Sequence, residues 1–209
     1  MNPFLAPNYF IDFEAQIIQD FVKKHTNDSQ SPEEKLIALY LAVRDGFRYN
    51  PHNIHFEPHS YKASQQISQT EGHCIDKANI LAACSRSIGI PSRLHFTNVR
   101  NHIGTEKLEE QLGTNVLVFH GYVSFFIHEK WVKATPAFNE ALCQKLGVSP
   151  LEFDAKTDSV FQEFDPKAGK FMEYLHDYGH FSELPYELMI QEWKKHYAQS
   201  VEKFSKNLG

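Results

Sequence analysis

The chain has 209 residues, a formal net charge of −5, 42% hydrophobic residues and 22% charged residues. That length suits one domain whose core needs no staple, and the composition is that of a globular chain rather than a disordered one. The charge offers no basic face for nucleic acid, and no apolar run approaches the length needed to span a bilayer.

Phe10, Phe13, Ile17 and Phe21 recur at three- and four-residue steps, widened by Ile18 and Val22, which predicts a first helix. His25 to Gln30 is a polar break. Ser31-Pro32-Glu33-Glu34 then supplies an N-cap, a proline at the first helical position and a capping-box glutamate. Leu36, Leu39, Tyr40, Val43 and Phe47 share one face of the helix that follows, which should end near Gly46, so N-terminal helices cover about 9–46. Residues 48–72 read as one long loop with Pro51, Pro58, several histidines and a Ser/Gln-rich stretch. Loops this long in a compact domain are often functional.

Cys74 to Ile88 reads as a helix of small residues (Ala78, Ala82, Ala83, Ser85), closed by Gly89 and Pro91. Ser92 to Arg100 reads as a strand, and 101–114 as a polar loop. Asn115 to Ile127 and Trp131 to Phe138 read as a hairpin around His128-Glu129-Lys130, a turn without glycine. Glu140 to Gly179 shows no clear period. Tyr186, Met189, Trp193, Tyr197, Val201 and Phe204 stripe a final helix over about 184–206, read as core packing. Helices come first, then strands, then a helix, and that segregation predicts one α+β domain over 1–209 rather than a doubly wound sheet.

Cys74, Cys84 and Cys143 are an odd count at irregular spacing, without a CxxC pair, and so suit neither a disulfide framework nor a structural zinc site. With no basic and apolar leader at Met1 to Asp12, the expected compartment is the reducing cytoplasm. Cys74 falls in the first turn of its helix, after Gly72-His73. Free N–H groups and the helix dipole there favour negative charge, lower a thiol pKa and offer the Cys74 N–H to an oxyanion. Buried cysteines at helix starts are more commonly inert, so the reading needs a base. Of twelve histidines, His120 fits best, because it precedes Gly121 on the first hairpin strand. A turn centred on His128-Glu129 sets position 120 opposite 137, with 135 and 139 as diagonal neighbours on the same face. Thr135 and Asn139 are then the candidates to orient the imidazole. Cys84 and Cys143 are assigned to packing.

Gly72-His73-Cys74-Ile75-Asp76-Lys77-Ala78, running on to Gly89-Ile90-Pro91-Ser92-Arg93, resembles the core motif of the transglutaminase-like superfamily. His120-Gly121-Tyr122-Val123 through Trp131-Val132-Lys133-Ala134-Thr135-Pro136 resembles its second motif, and Phe47-Arg48-Tyr49 its entry to the catalytic loop. The resemblance covers about 36–139. It implies a cysteine-proteinase-like α+β fold with the cysteine helix packed on an antiparallel sheet that carries the histidine. It also implies thiolate attack on an amide through a thioester, with Cys74 and His120 catalytic. Thr135 stands where the family usually has an acid. Threonine accepts a hydrogen bond but cannot balance an imidazolium, so Asn139, or a carboxylate such as Asp154 or Asp158, enters as an alternative. No cofactor is expected, since the calcium-dependent branch needs an acidic loop of a kind not seen here.

The substrate class that follows is a peptide, protein or small amide, hydrolysed rather than cross-linked. The rival reading is a binding or scaffolding module of the same fold without turnover. His52, His55 and His59, with Glu57 between them, lack the helical frame that fixes metal ligands, and are read as substrate contacts. His176, Asp177 and His180 are read as a loop or helix end.

Overall fold

The computed structural model describes residues 2–103, 106–161, 164–165 and 169–198. The first helix, α1, spans Gln16–His25 and is shorter than the stripe predicts. Asn8 Oδ1 accepts the N–H groups of Phe10 and Ile11, which holds this stretch in a turn, and Ile17 is exposed while Ile18 and Val22 are buried. Helix α2, Pro32–Gly46, starts on the expected capping box. Glu34 N–H donates to Ser31 Oγ at 3.2 Å and Ser31 N–H donates to Glu34 Oε2 at 2.7 Å.

The long loop carries more structure than its composition suggests. A two-residue strand β1 (Arg48–Tyr49) pairs in parallel with β2 (Glu71–Gly72), and between them lie a 3₁₀ turn (Pro58–Tyr61) and the short helix α3 (Ala63–Gln66). Helix α4, Cys74–Ser87, is the centre of the molecule. It packs on α1, α2 and α3 on one side and on the sheet on the other, so it is buried nearly all round. Small residues are what let a helix sit between two layers. Gly89, at φ 80°, ends it, and Ile90 N–H returns to Ser85 C=O at 3.0 Å. Lys77, fully buried, donates to the carbonyl oxygens of Arg44, Phe47 and Ala137 at 2.7, 2.9 and 2.8 Å. One ammonium group thus ties the end of α2 and the segment after the hairpin to α4.

The sheet is antiparallel and built from β3 (Ser92–Asn101), β4 (Val116–Ile127), β5 (Lys130–Ala134) and β8 (Met172–Phe181), in the order β5-β4-β3-β8. A helix α5 (Glu106–Leu112) stands where a polar loop is expected. The β4–β5 turn places His128 at φ 51° and Glu129 at φ 60°. Both lie in the left-handed region that a two-residue hairpin of this twist requires, so the turn forms without glycine. The register matches the expected one, with Val123 opposite Ala134 as the last pair. His176, Asp177 and His180 lie in β8, not in a loop or helix end. Pairing with the central strand β3 overrides the weak local pattern.

Helix α6 (Glu140–Leu146) and a short ladder of β6 (Phe164–Asp165) with β7 (Gly169–Lys170) precede β8. The final helix α7 spans Tyr186–His196, with Tyr197 as its C-cap. The rest of the expected stripe, Val201 and Phe204, lies outside the described residues. The N-terminal arm is ordered. Phe4 C=O accepts Ser92 N–H at 2.8 Å, and Arg86 donates to Ala6 C=O at 2.7 Å. No helix among the described residues is long and apolar enough to cross a membrane.

Candidate active site

Cys74 opens α4, and the residues before it hold that start in place. Asp76 accepts His73 N–H at 2.9 Å, Gln66 Nε2 at 2.6 Å and Asn53 Nδ2 at 3.1 Å, and His73 Nδ1 lies 3.1 Å from the same carboxylate. An acid at the third helical position complements the dipole as well as the cap. A Cβ on Gly72 would come within 3.0 Å of the Asp76 side chain, so glycine lets the carboxylate fold back over the helix start.

Cys74 is 6% exposed. Burial pushes its thiol up to about 12, a hydrogen bond from Gly121 N–H opposes that, Asp76 adds to it, and the N–H groups of Ile75 and Cys74 oppose it again. The expectation of a lowered thiol pKa is not met, because desolvation of an enclosed sulfur outweighs the N–H groups around it. The cavity beside the thiol is about 30 Å³, room for one water. Its walls include Tyr49, Pro51, Ile54, Leu117, Trp193 and Tyr197. All three cysteines are free thiols.

Strand β4 brings Gly121, the residue after His120, against the start of α4. A Cβ on Gly121 would lie 3.1 Å from Ile75 Cα and 3.4 Å from Cys74 O, so the strand runs against the first turn of α4 where it has no side chain. Just before it, Val118 and Phe119 face the single β3 residue Asn98, a bulge between the pairs Val99–Leu117 and Thr97–His120. Phe119 sits at φ 66°, a region that bulky residues avoid. The Asn98 side chain holds it there. Its Oδ1 accepts Phe119 N–H at 2.9 Å, and its Nδ2 donates to Tyr178 Oη at 3.0 Å, which donates to Glu192 Oε2 at 2.6 Å. Bulges beside active sites re-aim side chains, and the next one here is His120.

His120 is 1% exposed, and neither ring nitrogen has a hydrogen-bond partner among the described residues. Burial first, and then the charge of His73, push its imidazole down to about 4. Thr135 is buried; its N–H donates to Ser159 C=O at 2.9 Å and its C=O accepts from Tyr40 Oη at 3.3 Å. Asn139 precedes α6, and its Oδ1 accepts Tyr49 N–H at 3.1 Å. Neither is bonded to the imidazole. Asp154 and Asp158 are exposed and hold backbone N–H groups of Lys156, Thr157 and Lys133.

The long loop contributes Pro51 and Ile54 to the Cys74 cavity, whereas His55 and His59 line a separate polar hollow of about 140 Å³ with Glu71 and Asp76. Among the described residues, no group of three or more His, Cys, Asp or Glu side chains is placed to hold a metal. Sequence reasoning missed Gly121 N–H, the Asn98-held bulge, His73, Trp193 and Tyr197. Only the last two carried a signal, as polar-tipped aromatics in an otherwise apolar stripe.

No curated protein matches this chain. A crystal structure of a "putative cysteine protease" from Cytophaga hutchinsonii is similar at 13% identity and a TM-score of 0.49, over 86% of this chain and 53% of that one, so this chain spans about half its length. The transglutaminase-like core model matches residues 19–136, more than half of the chain and a range that holds Cys74, His120 and Thr135. With the cysteine at the start of the central helix and the histidine on the strand against it, the chain belongs to the transglutaminase-like superfamily.

Proposed function

We propose that this chain is a cysteine-dependent acyl-transfer enzyme that cleaves an amide bond, as a hydrolase of the peptidase or amidase kind rather than a protein cross-linker. Cys74 is the nucleophile and His120 its base. The observation that carries the reading is the close approach of β4 to the start of α4, with Gly121, the neighbour of His120, against Cys74 and Ile75. A thiol at a helix start receives the Gly121 N–H, and the residue before that glycine is a buried histidine whose ring nitrogens have no hydrogen-bond partner among the described residues. Buried polar atoms left unpaired in a native fold call for an explanation, and catalysis is one.

Burial leaves both groups neutral at rest, since it raises the thiol and lowers the imidazole. A neutral imidazole is the form that accepts a proton. As the sulfur attacks the amide carbon, its proton passes to His120, and the new C–S bond replaces the C–N bond. His120 then protonates the leaving amine. Water cleaves the thioester, which releases the acid and restores the thiol. The Cys74 N–H supplies part of the oxyanion hole, and the Gly121 N–H stabilises the sulfur as it gains charge. Thr135 is the candidate to orient His120 in the substrate complex, with Asn139 as the alternative.

The absence of a carboxylate bonded to His120 among the described residues favours a second reading, a binding or scaffolding module without turnover. A library of peptide and small amides separates the two. Substrates that release amine and leave an acyl group on the Cys74 peptide by mass spectrometry, both lost in Cys74→Ala, are the expected result. If no library member acylates Cys74, the enzyme reading fails and binding partners become the question.

A further inference from the structure

Strand β4 pairs with β5 only from Val123 onward. From Val116 to Tyr122, its edge away from β3 has no strand beside it among the described residues. An unpaired edge offers main-chain donors and acceptors that take up an extended chain. Here two side chains of the α7 end fill it. Tyr197 Oη accepts Val118 N–H at 2.6 Å and donates to Val116 C=O at 2.7 Å, while Trp193 Nε1–H donates to Val118 C=O at 3.2 Å. The C=O of one residue and the N–H two residues later point to the same edge of a strand. A single hydroxyl therefore stands in for one peptide unit of an added strand.

The same two aromatic rings wall the cavity of Cys74. Next to it lies a second hollow of about 120 Å³, lined by Ile103, Phe138, Leu142 and Leu146. Tyr49, Pro51 and Leu117 border both spaces. The order along this surface is thus a nucleophile, an occupied strand edge and an apolar hollow.

We propose that the substrate is an extended peptide that pairs through its main chain with Val116 and Val118, in place of Tyr197 and Trp193, and lays an apolar side chain in the hollow beside Leu117. The last turn of α7 is then the gate over Cys74. This rests on the acyl-transfer reading for its chemistry, but the gate and the pairing have their own readouts. Only the end of α7 need shift, since Tyr197 is already its C-cap.

Two probes test it on the full chain, with each cysteine read by peptide mass spectrometry. The first is iodoacetamide. Tyr197→Phe keeps the ring and removes both hydroxyl bonds, so Cys74 should alkylate about tenfold faster, given that two neutral hydrogen bonds hold the gate. Cys84 and Cys143 should be unchanged. Trp193→Phe should act in the same direction. An unchanged Cys74 rate in both variants, or an equal rise at all three cysteines, overturns the gate. The second probe is an acetylated leucine-rich tripeptide chloromethyl ketone, whose chloride the Cys74 sulfur displaces, compared with its backbone N-methylated analogue. The parent should react about tenfold faster in wild type and in Tyr197→Phe. Equal rates overturn main-chain pairing. Failure of the acyl-transfer reading looks different, because an opened but unactivated thiol still alkylates faster in Tyr197→Phe while no amide acylates it.

Discussion

The two faces of the sheet carry two unlike hollows. Gly121 points toward α4, so Tyr122, the next residue on β4, points to the other face. There it lines the larger hollow, about 400 Å³, with Thr97, Lys133, Tyr174, His176 and Asp177. The space beside Cys74 is about 30 Å³ and mostly apolar. Size alone would choose the first, yet it holds no cysteine. It is open because β8 is an edge strand with Tyr174 and Leu175 exposed. The second is small because residues from three separate segments close over it. A nucleophilic thiol needs no wide opening of its own, and on the acyl-transfer proposal the chemistry of the lining locates the site better than volume does.

Substitutions in the proposed catalytic pair and in the larger hollow should break or keep this contrast. His120→Ala should lower kcat/KM for an amide substrate by roughly a thousandfold or more, since the base and the proton donor are lost together. Lys133→Ala and Asp177→Asn, both in the larger hollow, should leave it within about twofold. A collapse of turnover in Lys133→Ala would move the reaction to the larger hollow.

Two buried histidines, His95 and His120, should both be exposed by acid. His95 stacks on Tyr122 at 4.7 Å, and burial, followed by the charges of Arg93 and Lys133, pushes it down to about 3. His120 lies at about 4. Both folded values lie below the unfolded value of about 6.5, so the unfolded chain binds more protons in that window and stability falls as pH falls through it. Urea unfolding at pH 7 and pH 5 should show a loss of roughly 2 kcal/mol from each. His120→Gln should remove its share of the slope and leave that of His95. A slope unchanged by His120→Gln and by His95→Gln would mean that neither ring is buried neutral.

How much of this was legible in the sequence depends on how local each cause is. The α2 capping box, the glycine exit of α4 and the hairpin register are set by neighbours in the chain, and all appear where the residues place them. The start of α1 is misplaced because Asn8 competes for the backbone, and β8 is missed because only β3 makes it a strand. At the site, Cys74 and His120 are named by motif. The thiol's upward shift is not readable, since it arises from Pro51, Trp193 and Tyr197 closing from distant segments. The bulge that re-aims His120 needs Asn98, Tyr178 and Glu192, which share no local pattern.

The finest difference to measure lies within the proposed catalytic set, between the two residues that could orient His120. The β4–β5 pairing ends at Val123–Ala134, and its register extended by three residues sets 120 opposite 137, with 135 and 139 as diagonal neighbours. Thr135 is buried with both backbone groups engaged, whereas the Asn139 side chain already holds Tyr49 N–H. Turning Asn139 to the imidazole would release the Tyr49 backbone, beside a wall of the Cys74 cavity, and Thr135 has no such cost. Thr135→Val, close in shape, should therefore lower kcat about threefold to tenfold with KM unchanged, the effect of one orienting hydrogen bond. Asn139→Ala should act through the loop instead and raise KM. The reverse pattern, with kcat lost in Asn139→Ala and Thr135→Val silent, would give the orienting role to the amide. If both are silent, the bulge and the surrounding packing orient the ring without a third side chain.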